Sequence, residues 1–443
     1  AIPVRDDASA IAGTRPAETV TPADPGMSRT SAERRLKEFL QKGVRDRRFP
    51  GGQLVVGTRK GPIYSTCVGS FDYNGSHRVT DTDLYDLASL TKIMSTTLAA
   101  MHLYGEGKIG LTDKLGTVVP QYEGTQVADL TVRELLRHTS GMFPVVYVCE
   151  LVGQSLRDSV SLLSPVADSL HTVKVAPRIY MVDTFVYRNH YVSDHPDSAT
   201  LFAVSPRLWV YPSLLPAIDS AVVASFIPEQ RGHFRYSCLN FYFLQKIVEA
   251  RSGKPLDEYV GHIYGKMNLK NIGYRPLKWS TLDRIAPTEY DMMMRRDTIR
   301  GYVHDEFCAT LGGVCGNAGL FANAADVASI CQMFLSKGAW NGQQVIKPEV
   351  LHLFTSEQMP PGGRITRGLG FDKLKKYPYA PTSYGHTGFT GTYFWCDPAL
   401  DLYVVFLTNG VYPARLRKTL GSEYRSNVWT LAKELRKTYG TTR

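Results

Sequence analysis

Apolar residues recur at helical spacing in several stretches of the chain and predict helices at both ends and in the middle. The stretch "RRLKEFLQKGVRDRR" places its apolar residues on one face, so we expect an amphipathic helix over about residues 30–46. Near the other end, "EYRSNVWTLAKELRKTYG" predicts a closing helix. Glycine is a common helix stop and supports further helices in the middle of the chain. These are "KIMSTTLAAMHLYG" ending at Gly105, "TVRELLRHTSGM" ending at Gly141, "SCLNFYFLQKIVEARSG" and "LFANAADVASICQMFLSKG".

Strand patterns occur near both ends of the chain. "GGQLVVGTRKGPIYSTCVGSFDY" predicts two strands around a Gly-Pro turn, and "TGTYFWCDPALDLYVVFLTNG" predicts two around an Asp-Pro turn. Strands at both ends with helices between them favour one antiparallel sheet built from both termini. We therefore predict an α/β (α+β) fold, in which strands near 52–70 and 384–409 share a sheet that helices flank, with an inserted mainly helical region.

The composition of the remaining stretches predicts the domain organisation. Residues 1–29 are rich in Pro, Ala and Thr, without apolar periodicity, and read as a linker or a surface strap. Residues 30–443 form the expected domain. Its sheet region is about 30–85 and 335–443, and its helical region is about 86–334. An insertion at about 142–232 is rich in aromatics and prolines, which fit either a core or a substrate-gripping surface.

Charge and cysteine usage exclude few classes of protein. The formal net charge is +10, but Lys and Arg are scattered, so we interpret the charge as favouring solubility and expect no nucleic-acid partner. The seven cysteines show neither C-x-x-C pairs nor zinc-finger spacing, and most are expected to be buried small apolar residues. No apolar run reaches the length of a membrane span. The chain begins "AIPVRDD", without methionine, so we expect a processed product.

One serine and one lysine, Ser89 and Lys92, are spaced as a nucleophile and its base would be. Residues three apart share a helix face, and Ser89 is predicted near a helix start, where backbone N–H groups favour negative charge. A serine hydroxyl needs such a base within hydrogen-bond reach. Burial would lower the pKa of Lys92 and leave a neutral amine that accepts the serine proton. The alternative is that both are ordinary residues of an ordinary helix.

Two further stretches give this pair a context. "FRYSCLNF" places Tyr236 and Cys238 at a helix start, and "SYGHTGFTGTYF" leads His386, Thr387 and Gly388 into a late strand. In order and placement these stretches resemble the serine β-lactamase and penicillin-binding protein superfamily, whose signature is S-x-x-K, then S-D-N or Y-x-N, then K-T-G. "GKIGLTDKLGTVVP", "LLRHTSGM" and "GLFANAADVASICQMFL" look like the same family.

The closest resemblance is to the Y-x-N branch, which holds class C β-lactamases, D-amino-acid-releasing peptidases and serine esterases. "RIAPTEYD" and "RGYVHDEFCATLGG" look like a bacterial subgroup of penicillin-binding-protein homologues. Members of that subgroup can be secreted, and some are fused behind a family 3 glycoside hydrolase. The resemblance implies a β-lactamase/transpeptidase-like fold and a secreted or periplasmic location, with membrane anchoring before processing as a further option.

The resemblance also implies a role for each matching residue. Ser89 would attack a carbonyl and form an acyl-enzyme, and Lys92 would take its proton or hold its hydroxyl in place. Tyr236 would act as general base or acid, with its phenolic pKa lowered by the lysine charge. The backbone N–H groups of Ser89 and Phe389 would form the oxyanion hole. Cys238, His386, Thr387 and Gly388 would bind substrate. No cofactor and no metal are implied.

The implied activity is a serine acyl hydrolase that acts on a peptide, amide or ester, including D-alanyl peptides or fragments of peptidoglycan. Two departures from the motif bear on it. Cys238 stands where the motif has asparagine, and His386 stands where it has lysine. Histidine is only partly charged near neutral pH and grips a substrate carboxylate less firmly than lysine. We therefore expect esterase or amidase activity and poor penicillin turnover. A true β-lactamase and a catalytically silent binding protein remain the alternatives.

Two other polar stretches are candidates for supporting roles. His304, Asp305 and Glu306 could form a metal or acid/base cluster, but adjacent residues point in different directions, so a polar prop for the site wall is favoured. His138, in the "RHTSG" stretch, is interpreted as a structural cap instead of a catalyst.

Overall fold

The computed structural model describes residues 27–157, 159–360, 363–374, 376–416 and 420–439. Nearly all of the predicted strap, residues 1–29, lies outside these ranges. The helices are α1 (Arg29–Arg45), α2 (Leu98–Gly105), α3 (Leu115–Val118), α4 (Val132–Arg137), α5 (Val148–Val152), α6 (Leu214–Ala224), α7 (Leu239–Ser252), α8 (Leu256–Lys266), α9 (Glu306–Ala309), α10 (Ala324–Leu335), α11 (Pro348–Thr355) and α12 (Ser422–Thr438).

The strands are numbered in the same way, in chain order. They are β1 (Gly51–Thr58), β2 (Gly61–Gly69), β3 (Tyr85–Asp86), β4 (Gly153–Ser155), β5 (Leu163–Ser164), β6 (Val173–Ala176), β7 (Ile179–Met181), β8 (Phe185–Tyr187), β9 (Val192–Ser193), β10 (Phe202–Ser205), β11 (Leu208–Val210), β12 (Ile272–Tyr274), β13 (Glu289–Asp291), β14 (Asp297–Ile299), β15 (Leu320–Ala322), β16 (Ala339–Trp340), β17 (Gln343–Gln344), β18 (Tyr384–Thr387), β19 (Tyr393–Asp397) and β20 (Leu402–Thr408).

A five-stranded antiparallel sheet joins the two ends of the chain, as the strand pattern predicted. Its strand order is β18-β19-β20-β1-β2, so that the first hairpin and the last strands lie side by side. Val55 of β1 pairs with Val405 of β20 at the centre of the sheet. Both strands are buried along their whole length, which suits the apolar runs at residues 54–56 of β1 and 402–407 of β20. The fold prediction is therefore confirmed.

Alternate residues of the central strands feed two separate apolar cores. Leu54 and Val56 of β1 pack with Leu36 of α1 and Trp429 of α12 on one face of the sheet. Val55 belongs to the larger core on the other face, which α2, α7 and α10 help to build. This alternation is the two-residue period of a strand whose faces are both covered. The sheet therefore lies between a terminal helix pair and the body of the molecule.

Local signals explain where the helices near the site begin and end. A capping box between Thr131 and Glu134 starts α4, with the Thr131 N–H donating to Glu134 Oε2 at 2.8 Å. The predicted stop of α4 at Gly141 is wrong. The helix ends at Arg137, and the capping residue His138 adopts the left-handed conformation with φ 57° while its side chain is buried in the core. Gly253, with φ 66°, ends α7 as glycine commonly does.

The insertion at about 142–232 contains short antiparallel ladders together with α5 and α6. The ladders are β4-β8, β5-β7-β6 and β10-β11-β9. Strands of two to four residues carry too little alternation to be recognised in a sequence. The aromatic side chains of Phe185, Tyr187, Tyr191 and Phe202 are partly buried and pack against the main core, so they contribute to the core.

The described residues were compared with the requirements for disulfides, membrane-spanning helices and metal sites. All seven cysteines are free thiols, and five of them are buried, which confirms that most behave as small apolar residues. Across the described ranges, no helix has both the length and the apolar character needed to cross a membrane. The same ranges contain no group of three or more His, Cys, Asp or Glu side chains arranged to hold a metal ion.

Candidate active site

Ser89 lies in a short 3₁₀ turn, Ala88–Leu90, that connects β3 to the helix behind it. The preceding residue, Ala88, has φ 46°, a left-handed conformation that is costly for any residue with a Cβ. The Asp86 carboxylate stabilises this turn by accepting the Ala88 N–H at 2.8 Å. A π-helical segment, Lys92–Thr97, follows and runs into α2. The partly exposed Ser89 therefore sits at a constrained helix start.

Lys92 is fully buried, and its ammonium group faces the Ser89 hydroxyl. Lys92 Nζ donates to Ser89 Oγ at 2.9 Å, to the Asn317 main-chain oxygen at 3.1 Å and to Cys238 Sγ at 3.5 Å. Burial lowers the pKa of Lys92, but attraction to Cys238 and Tyr236 outweighs it, and the pKa lies above its ordinary value. The expectation of a neutral amine is therefore wrong for the resting site. Asn317 is a contact that the motifs gave no signal for.

The Tyr236 phenol is the second group on the Ser89 hydroxyl. Tyr236 OH donates to Ser89 Oγ at 3.1 Å. Burial raises the pKa of Tyr236, and the neighbouring Lys92 charge lowers it by less than burial raises it. The expected depression of this pKa is therefore wrong, and the resting side chain is a phenol. The sequence correctly indicated that the Lys92 charge lowers the pKa of Tyr236, but it could not show how deeply the phenol is buried.

His138 stacks against Tyr236 and also caps the end of α4. Its imidazole stacks on the Tyr236 ring with 4.5 Å between centroids and 30° between planes. Its Nδ1 accepts the Ser237 N–H and the Asn240 side-chain amide, both at 3.1 Å. Burial holds the pKa of His138 well below its ordinary range, so the ring is neutral. The interpretation as a structural residue agrees with these contacts.

Cys238 immediately precedes α7 and lies against the lysine ammonium. Burial raises the pKa of Cys238 despite the opposing Lys92 charge, so the side chain is a thiol. It also hydrogen-bonds with the side chain of Asn317. A thiol fills this position without the donor and acceptor pair that an asparagine amide would offer.

His386 and Thr387 form the end of edge strand β18, beside the Tyr236 ring. The ring centroids of His386 and Tyr236 are 6.1 Å apart. His386 Nδ1 donates to the Thr387 main-chain oxygen at 2.7 Å. Burial lowers the pKa of His386 to about 4, and the nearby Asp372 carboxylate opposes this only in part. The prediction that His386 is partly charged near neutral pH is therefore wrong, because its imidazole is neutral at that pH.

Phe389 follows Gly388 at the mouth of the site, and its ring is 51% exposed. One face stacks on His304, with 5.4 Å between centroids. The Arg415 guanidinium lies 5.8 Å from the same ring. Beneath it, Glu289 contacts His304 and accepts from Arg415 Nε at 2.8 Å. These contacts make the His304 stretch a support for the site wall, in keeping with the favoured interpretation.

The sequence motifs thus meet in one place, although they are far apart along the chain. Ser89 Oγ receives hydrogen bonds from Lys92 and Tyr236, while Cys238 contacts Lys92 and His386 lies behind Tyr236. A hydroxyl between an ammonium and a phenol, on a helix start beside an antiparallel sheet, is the arrangement of a serine hydrolase that works without a histidine base.

Comparison with known proteins agrees with this class. The family model described as Beta-lactamase matches residues 36–151 and 221–425. The chain belongs to the beta-lactamase family, and it is a serine hydrolase. The unmatched stretch between the two segments falls within residues 142–232, where the sequence predicts an insertion.

Named relatives are similar over most of their length. An "N-acetylmuramyl-L-alanine amidase" from Bacillus subtilis strain 168 is 26% identical, over 87% of this chain and 83% of its own. A "Putative D-alanyl-D-alanine carboxypeptidase" from Escherichia coli strain K12 is 28% identical, over 82% of this chain and 78% of its own. A penicillin-binding protein homologue from Caulobacter crescentus has a similar fold, with a TM-score of 0.62 at 16% identity over 94% of this chain and 99% of its own.

Proposed function

We propose that Ser89 is the nucleophile of an acyl-enzyme mechanism that cleaves an amide or ester bond in peptides of the bacterial cell wall, outside the cytoplasm. The observation that carries this proposal is the convergence of Lys92 Nζ and Tyr236 OH on Ser89 Oγ, at 2.9 and 3.1 Å. The carbonyl oxygen of the substrate would bind the backbone N–H groups of Ser89 and Phe389, which stabilise the negative charge of the tetrahedral intermediate.

The proton of Ser89 passes to the pair formed by Lys92 and Tyr236. Both groups are protonated in the resting site, because the pKa of each lies above its ordinary value. A base forms when this pair loses one proton, and the remaining Lys92 charge favours Tyr236 as phenolate. The phenolate accepts the proton as Ser89 attacks, and the phenol then returns it to the leaving group. Water attacks the acyl-enzyme through the same pair in reverse.

The substrate class rests on the relatives and on His386. The two named relatives carry the names of enzymes for peptidoglycan amide bonds, one at the muramyl–L-alanine link and one at the D-alanyl–D-alanine end. His386 is neutral at neutral pH, so the site lacks the fixed cation that a K-T-G lysine would supply at this position. The pocket therefore does not depend on a substrate carboxylate, and we expect peptide amide bonds to be cleaved with or without one nearby.

A fluorophosphonate probe tests the nucleophile directly. We expect covalent labelling of the unsubstituted protein, located by peptide mass spectrometry on Ser89, and no labelling of Ser89→Ala. Ser329→Ala is the matched control, because Ser329 is partly exposed on α10 and bonds locally to the Ala325 main-chain oxygen. Thermal unfolding checks that each variant remains folded. Labelling of folded Ser89→Ala at the normal rate would contradict the proposal.

Four substrates separate the possible acyl donors. We expect release of D-alanine from a peptide ending in D-alanyl-D-alanine, or a new L-alanine amino terminus from a muramyl peptide, together with slower hydrolysis of p-nitrophenyl acetate. The Ser89→Ala protein should cleave none of them. Efficient hydrolysis of a chromogenic cephalosporin, with both peptides untouched, would instead establish the protein as a true β-lactamase.

A further inference from the structure

The two backbone N–H groups of the proposed oxyanion hole belong to segments that lie in different sheets. Ser89 follows β3, which pairs with β15 and through it with β12 in a small three-stranded sheet. Phe389 follows β18, the edge strand of the five-stranded sheet. An oxyanion hole requires both donors at a fixed position relative to the developing charge. Contacts between the two segments must therefore keep the Ser89 and Phe389 N–H groups at a fixed separation.

Two threonine hydroxyls in the turn after β18 bridge this gap. Thr390 Oγ1 donates to the Asp86 main-chain oxygen at 2.8 Å, and Thr392 Oγ1 donates to the Leu87 main-chain oxygen at 2.9 Å. Both threonines are fully buried, and so are Asp86 and Leu87, which supply the two accepting carbonyl groups. Breaking either hydrogen bond would leave a buried donor and acceptor unpaired, at a cost in free energy. The two bonds should therefore hold the turn firmly against the segment before Ser89.

The turn itself is closed tightly around these hydroxyls. The Gly388 N–H donates to the Thr392 main-chain oxygen at 2.8 Å, and the Gly391 N–H donates to the Gly388 oxygen at 3.1 Å. A Cβ on Gly388 would overlap Thr392 Oγ1 and lie 2.6 Å from the Leu87 oxygen. Glycine at this position thus leaves the space through which Thr392 reaches Leu87.

We propose that Thr390 and Thr392 are positioning residues, which set the separation of the Ser89 and Phe389 N–H groups by fastening the β18 turn to the segment before Ser89. The inference rests on the proposed function, because it assumes that these two N–H groups form the oxyanion hole. Neither threonine touches the substrate. Without the hydroxyl of Thr392, the turn keeps its own closure but loses its hydrogen bond to Leu87, and the bond from Thr390 to Asp86 alone then fastens it to the segment before Ser89.

Replacing the hydroxyl by a methyl group tests this role. We expect Thr392→Val to lower kcat for p-nitrophenyl acetate about 10- to 100-fold, with KM changed by less than about threefold, because a displaced donor affects the transition state more than substrate binding. Thr392→Ser keeps the hydroxyl and should restore most of kcat. Thr390→Val should act in the same direction. Gly388→Ala should resemble Thr392→Val, since the added Cβ displaces the Thr392 hydroxyl.

Thr288→Val is the matched control, because Thr288 is also buried but donates to the Ile299 main-chain oxygen at 3.1 Å instead of to the segment before Ser89. It should lower thermal stability by a similar amount while kcat stays unchanged. Normal fluorophosphonate labelling together with an unchanged kcat in folded Thr392→Val and Thr390→Val would overturn the positioning role alone. Absence of labelling in the unsubstituted protein would overturn the proposed function and this inference with it.

Discussion

At the scale of single residues, burial decides which side chains around Ser89 carry charge. The site holds a neutral imidazole at His386, a phenol at Tyr236 and an ammonium at Lys92. The ammonium is retained despite its burial because Lys92 Nζ donates to Ser89 Oγ and to the Asn317 main-chain oxygen. In the mechanism that we propose, a base forms when the Lys92–Tyr236 pair loses one proton, and catalysis should follow the titration of that pair.

The Lys92–Tyr236 pair should titrate as a unit. Because both pKa values are raised, we expect kcat/KM of the unsubstituted enzyme to increase with pH across the neutral and alkaline range. Lys92→Met removes the charge that favours the phenolate, so kcat/KM should fall by about 10³-fold and its rise should move to higher pH. Tyr236→Phe should cost a similar factor, measured with p-nitrophenyl acetate.

The double variant distinguishes a unit from two independent groups. Lys92→Met combined with Tyr236→Phe should cost little more than either change alone, since residues that serve one step are not additive. Losses that multiply in the double variant, or a kcat/KM that is flat with pH in the unsubstituted enzyme, would contradict a shared proton transfer.

His386 should not act as a pH-dependent grip for carboxylates near neutrality. Its pKa of about 4 means that imidazolium forms only in acid, so binding of a carboxylate-bearing substrate should strengthen only as the pH falls toward that value. Between about pH 6 and pH 8, the kcat/KM ratio for matched substrates with and without a terminal carboxylate should be constant. A ratio that changes through the unperturbed histidine pKa of about 6.5 would show that His386 is charged in the working enzyme.

Substitutions of His386 test whether its lack of charge is the reason that the kcat/KM ratio stays constant. His386→Lys introduces a cation beside the site and should raise the preference for the carboxylate-bearing substrate by about tenfold. His386→Gln is the neutral control and should leave the ratio as it is in the unsubstituted protein.

At the scale of elements, polar contacts help to fasten the insertion to the rest of the fold. The Asp219 carboxylate of α6 accepts the hydroxyl groups of Tyr122 and Tyr242, at 2.6 and 2.8 Å. Tyr242 lies on α7, which begins at the site. Tyr187 OH adds a contact of 2.6 Å to the Met294 main-chain oxygen. The insertion is therefore tied to the helix that follows Cys238.

Removing the shared acceptor should loosen this attachment. Asp219→Ala leaves two largely buried phenols without their partner, so we expect the free energy of unfolding to fall by about 2–3 kcal/mol. Tyr122→Phe and Tyr242→Phe should each cost about 1 kcal/mol, because each removes one hydrogen bond and leaves the other. Denaturant titration measures all three. Asp183→Ala, in an exposed part of the insertion, should change stability by less than about 0.5 kcal/mol.

At the scale of the whole molecule, the sequence predicted the architecture better than the chemistry of the site. The sheet could be predicted because each hairpin carries its own apolar pattern, as in the stretches that contain Val55 and Val405. The ladders of the insertion could not, because their strands are too short to show a period. The raised pKa values of Lys92 and Tyr236 depend on burial and on side chains brought in from distant elements, which no local pattern records.

The pairing of β1 with β20 has a consequence for the order of events during synthesis. The hairpin of β1 and β2 leaves the ribosome long before β20, the central partner of β1, has been translated. Until then, the inner edge of β1 has no strand to bond, and the β18 turn that carries Thr390 and Thr392 does not yet exist beside Ser89. Ser89 is thus made long before the strands and the turn that surround it, and nascent or truncated chains that lack β18 and β20 should be inert toward the substrates of the finished enzyme.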